Sequence, residues 1–110
     1  MYEYRHDSTN QMVFKFPSQP DVHEVKDGHG RRTAWSISMA VEITRADNKL
    51  HHNQWQHPVR PVFSEQFDPR DSHEDAIGYF MVNNAPEGET ISEEQYRALH
   101  DQYDALARAR

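Results

Sequence analysis

Large apolar side chains at Trp35, Ile37, Met39, Val41 and Ile43 alternate with Ser36, Ser38, Ala40, Glu42 and Thr44. On a helix, at about 100° per residue, the odd positions would scatter into two separated clusters; a strand gathers them on one face. The pattern predicts a strand over 33–45. Its small, polar even face is left open to solvent or to a partner strand.

Period two also runs through Tyr2, Tyr4 and His6, and again through Met12, Phe14 and Phe16. The turn formers Asp7-Ser8-Thr9-Asn10 lie between them, which predicts a β-hairpin. Pro17 and Pro20 should end its second strand, because proline has no N–H to give to a ladder. Residues 17–32 hold two prolines and two glycines among many charges, and read as a long exposed loop anchored by Val22 and Val25. A turn follows at Ala46-Asp47-Asn48-Lys49. From Leu50 to Phe63, Trp55, Val59 and Phe63 share a parity, but Pro58 and Pro61 interrupt, which points to an edge strand or an extended segment. Residues 64–75 read as an acidic loop with room for one helical turn after Asp71. Ile77, Tyr79 and Met81 alternate with Gly78, Phe80 and Val82, and apolar residues on both parities predict a central strand covered on both faces.

The clearest helix start follows the turn cluster Asn83–Gly88. Ser92 and Gln95 have the spacing of a capping box, and Ile91 and Tyr96 that of a hydrophobic staple. Tyr96, Leu99, Tyr103 and Leu106 form one narrow stripe. Glu93 and Glu94 in the first turn and Arg108 and Arg110 at the end suit the helix dipole. This helix, over 93–108, is expected to cover Trp35, Ile37, Met39 and Ile43 with Leu99, Tyr103 and Leu106. The expected fold is a single α+β domain over 1–110: an antiparallel sheet of four to five strands with one C-terminal helix packed on one face.

Composition narrows the chemistry. Hydrophobic residues make up 35% of the chain, but two Trp, five Tyr and five Phe supply enough area for a thin core. No cysteine is present, which excludes disulfides, thiolate catalysis and cysteine zinc sites. The first residues, Met1-Tyr2-Glu3-Tyr4-Arg5-His6, lack an apolar signal core, and no run approaches a membrane span, so a cytoplasmic protein without a membrane partner is expected. Arginine outnumbers lysine nine to three, a codon-level trait that fits a GC-rich bacterial, phage or plasmid source.

The net charge of −6 lies wholly in the second half: residues 1–55 carry seven bases and seven acids, residues 56–110 five and eleven. Such an asymmetry attracts a basic partner and repels a phosphate backbone. Direct nucleic-acid binding is therefore disfavoured, although Arg31, Arg32 and Arg45 could form a small basic patch. Glu65, Asp68, Asp71, Glu74 and Asp75 fall within eleven residues, with Phe63 and Phe67 interleaved. Aromatic anchors ringed by charge suit a protein-binding patch; the alternative is that both rings turn inward to the core. These carboxylates lack the spacing of a calcium loop.

Two further groupings carry possible chemistry. His51, His52 and His57 cluster around Trp55, and His73 with Glu74 and Asp75 could complete a mixed nitrogen and oxygen metal site. The spacing lacks the helical zinc pair, and exposed polar residues beside a turn account for it more simply. Gly28-His29-Gly30-Arg31-Arg32 resembles an anion-cradling turn, but it leads into a strand and has no phosphate-binding lysine. No nucleophile elbow is present. The expectation is a non-catalytic, cofactor-free interaction protein that engages a basic protein surface. In charge and size it parallels small acidic phage or plasmid inhibitors of nucleic-acid-handling proteins. A histidine-dependent metal protein or small enzyme is the alternative.

Overall fold

The chain opens with the hairpin that its alternation predicts. β1 (Tyr2–Asp7) pairs with β2 (Met12–Pro17) from Tyr2–Pro17 to Asp7–Met12. Asp7 closes the turn by accepting the Asn10 backbone N–H at 3.1 Å and the Asn10 side-chain amide at 2.8 Å. The computed structural model describes residues 1–47 and 59–109. Within them follow β3 (Asp21–Lys26), β4 (Arg32–Ala40), β5 (Glu42–Arg45), β6 (Val62–Phe67), α1 (His73–Asn84), β7 (Glu89–Thr90) and α2 (Glu93–Arg108). The class is α+β as expected, but with two helices and two antiparallel sheets, ordered β5-β2-β1-β7 and β3-β4-β6. The expected single sheet with one helix is corrected accordingly.

The two sheets share a bent ribbon. Val41 alone separates β4 from β5. The register that pairs Trp35 with Phe67 and Ala40 with Val62 continues across this break to a bridge between Ile43 and Val59. Val41 donates its N–H to the Pro61 carbonyl at 3.0 Å within that run. β2 and β3 line the other side of the same strand, through Lys15–Glu42 and then Asp21–Ser38. Residues 21–26 are therefore a strand, where an exposed loop was expected; Val22, half-buried, holds it to the core. Likewise Val62–Phe67 is strand, where acidic loop was expected from Ser64 onward.

The odd positions share one core. Trp35, Ile37, Met39 and Val41 are buried together with Phe14 and Phe16, and Ile43 packs beside them. The helix that covers them is α1, through Ala76 and Phe80, and this corrects the expected pairing with the C-terminal helix. α2 packs instead on the opposite face of β2, where Tyr96 and Tyr103 join Val13 and Ala46. Leu106 stays 37% exposed. β2 explains the exchange, since it is apolar on both parities and is covered on both sides. The ribbon's even face follows suit: Ser36, Ser38 and Ala40 are left uncovered, while Thr44 is buried beneath α2.

Residues 73–84 form a helix, not the expected central strand. Ala76, Ile77, Phe80 and Met81 fall on one helical face, and all four reach the core. Ser72 caps the helix by accepting the Asp75 N–H at 3.0 Å, with Glu74 and Asp75 in its first turn. α2 has the expected box, with Ser92 accepting the Gln95 N–H at 3.1 Å and Gln95 accepting the Ser92 N–H at 2.9 Å. Two cores offset along the ribbon lengthen the molecule. Its radius of gyration is 16.7 Å, against about 13 Å for a compact chain of this length.

Candidate interaction surface

β6 and the N-terminus of α1 position the predicted patch. Odd residues of β6 face α1, so Phe63 and Phe67 are half-buried against the core, and Tyr79 lies 6.4 Å from Phe67 between ring centroids. Glu65 shares that face and accepts the side-chain amides of Asn83 and Asn84 at 3.2 and 2.9 Å. Asp68 is held by Arg70 through both oxygens, at 3.1 and 2.8 Å. That guanidinium pulls the Asp68 carboxyl down to about 2. Glu74 and Asp75 stand exposed at the start of α1. The predicted carboxylates thus divide: Glu65 and the exposed Asp68 are bound by neighbouring side chains, whereas Glu74 and Asp75 have no such partner among the described residues.

Trp35 organises the same end of the ribbon. Its indole N–H donates to the Asp71 carbonyl at 2.9 Å, which fixes the chain just before the Ser72 cap. The Arg32 guanidinium stacks 3.9 Å from the Trp35 ring and binds Glu24 at 2.9 Å, holding the Glu24 carboxyl below its usual range. His73 sets its ring edge-on to Trp35 at 5.5 Å. The glycine turn between β3 and β4 is closed by its own acid, since Asp27 Oδ1 accepts the N–H groups of His29 and Arg31 at 2.8 and 3.0 Å. A carboxylate of the chain therefore fills the cradle that the sequence offered to an external anion.

The opposite core carries a polar layer under α2. His6 Nε2 lies 2.8 Å from the Tyr103 hydroxyl, and His100 Nδ1 lies 2.8 Å from the Thr44 hydroxyl. The Tyr96 hydroxyl donates to Glu42 at 3.4 Å. Burial first, and the Glu42 charge second, push the Tyr96 phenol well above its usual value. Beside this layer a shallow cavity of about 180 Å³ is lined by Tyr2, Lys15, Ala40, Glu42 and Arg60. Glu42 there is bound by Arg60 at 3.1 Å.

His51, His52 and His57 lie outside the described residues. Among the described residues no three metal-ligating side chains come together, and no helix is long and apolar enough to cross a membrane. Outside the predicted patch stand Tyr79 and Val82, which α1 exposes at 51% and 85%. The signal that could have found them is Ser72, whose cap turns the apolar run into a helix. No protein-family model, curated protein or solved structure matches the chain.

Proposed function

We propose that this chain is a small acidic, non-catalytic interaction protein whose second half engages a basic surface of a protein partner. The distribution of ion pairs supports this reading. Arg60, Arg70, Arg97 and Arg108 are each bound to a carboxylate. Glu74, Asp75, Glu87, Glu89, Glu94 and Asp101 are exposed and have no ion-pair partner among the described residues. With these four bases each paired, the unpaired charges of the second half are carboxylates among the described residues, and such a field steers encounter over about 8 Å at physiological salt. Phe63 and Phe67 are half-committed to the core, so charge contributes more here than aromatic anchoring. Nucleic-acid-handling proteins carry suitable basic surfaces, and an inhibitor or adaptor directed at one fits this charge.

The test is native capture from source lysate, followed by association kinetics with the identified partner. Glu74→Lys with Asp75→Lys should slow association and flatten its salt dependence, with dissociation little changed. Because those residues also favour the α1 dipole, by about 0.3–1 kcal/mol each, Glu87→Lys with Asp101→Lys is measured alongside. A partner that binds both reversed proteins at the native rate across salt would reduce the carboxylates to a solvated face.

A further inference from the structure

β6 leaves one backbone edge without a strand among the described residues. Ile43 and Val59 exchange both hydrogen bonds, at 2.8 and 3.1 Å, and Pro61 accepts from Val41. Antiparallel alternation therefore turns the N–H and C=O groups of Val62, Ser64 and Gln66 away from β4, onto the free edge. Natural edges are blunted by charge or proline within the strand. Here the six residues carry one charge, Glu65, and Asn83 and Asn84 cover it.

α1 lies over β4 and β6, beside this edge. It contacts β4 and β6, and Asn83 and Tyr79 turn towards β6. Its remaining outward face shows Val82, 85% exposed, where a helix on a sheet would ordinarily be polar. Residues 76–86 contain no charge at all in a chain that is 27% charged.

We propose that β6 and α1 form an interface with a second copy of this chain, related by a twofold axis through Ser64. In that register Ser64 pairs with Ser64 and Val62 with Gln66, so all three outward residues are bonded. Glu65 then faces Phe63 and not a second Glu65, which avoids a like-charge cross-strand pair. The twofold sets the two α1 helices antiparallel on one side of a six-stranded sheet. With α1 between β4 and β6, the two helix axes lie about 10 Å apart, a normal packing distance. The strand and the helix are also of similar length, about 20 and 18 Å. The acidic first turns, with Glu74 and Asp75, fall at opposite ends of the helix pair. Two copies of a chain at −6 repel over much of their surface, and this uncharged strip lets them meet without that cost.

The experiment is sedimentation equilibrium on the full chain, with Val82→Glu and Ser64→Pro as variants. Val82 is too exposed to matter to the monomer, and the Ser64 N–H is bonded to nothing among the described residues. A dimer at micromolar concentration whose dissociation constant rises about tenfold or more in each variant, with Val82→Glu keeping the native far-ultraviolet spectrum, supports the proposal. Backbone amides of Val62, Ser64 and Gln66 should be protected from exchange in the native dimer. A monomeric native chain, or a dimer that Val82→Glu leaves unchanged and whose Ser64 amide exchanges freely, would overturn it. Neither result bears on the basic partner, whose test reads different residues.

Discussion

At the scale of single residues, two glycines with opposite constraints show where backbone geometry is decisive. Gly88 has φ +131°, and a Cβ placed there would stand 2.7 Å from the His6 carbonyl oxygen and 3.1 Å from its carbon. The close approach lets Glu89 and Thr90 pair with His6 and Arg5. Gly88→Ala must either strain the backbone or push β7 away from β1, and should lose about 1–3 kcal/mol in urea unfolding. Gly78 is the reverse case, in the middle of α1 with nothing within 4 Å of a built Cβ. Alanine there should gain about 0.5–1 kcal/mol, because the unfolded chain loses freedom and no contact is disturbed. A loss at Gly78 would mean that the space around it is not open, and no loss at Gly88 that the approach to His6 is not as close as described.

At the scale of elements, α2 seats polar hydroxyls on a buried sheet face, and this predicts how it responds to base. Tyr96 is neutral in both states at ordinary pH. Its folded phenol is raised above the unfolded value of 10.0 by burial and by Glu42. The stabilisation is thus present in full below about pH 10 and is lost as pH rises from there towards the folded value. Unfolding by urea at neutral pH and near pH 11 should show the native chain losing more stability than Tyr96→Phe; Tyr103, also raised by burial, keeps part of the loss in the variant. The same loss in both would remove Tyr96 as the source.

Elements with one local solution were legible in the sequence. The capping box fixed the start of α2, and alternation fixed the hairpin and the apolar face of β4 and β5. Elements with two solutions were not. Residues 76–82 are apolar on both strand parities and also on one helical face, and only the Ser72 cap separates the readings. β3 was hidden because its exposed His23 and Glu24 offer little apolar pattern, and the prolines and glycines on either side of it read as loop. Of the candidate patch, sequence found the carboxylates but could not say which were engaged, since Asn83 and Asn84 reach Glu65 only once α1 exists.

At the scale of the whole molecule, the two cores are distinct yet built on shared strands. Phe14 and Phe16 enter the core under α1 while Val13, between them and Met12, enters the core under α2. Ile43 and Thr44 divide in the same way, Ile43 packing with Phe14 and Thr44 reaching His100. Strands committed on both faces cannot release one core and keep the other without exposing an apolar face, so unfolding should be cooperative across the chain. Phe80→Ala offers a direct test, because Phe80 is fully buried under α1 and makes no contribution to the α2 core. Its removal should cost about 3–5 kcal/mol. Native-state hydrogen exchange should register that cost in the slowest amides of α2 as well as in those of β4, although Phe80 lies outside the α2 core. If α2 kept its native protection while β4 lost it, the chain would behave as two separable units, and the expectation of one domain over 1–110 would fail.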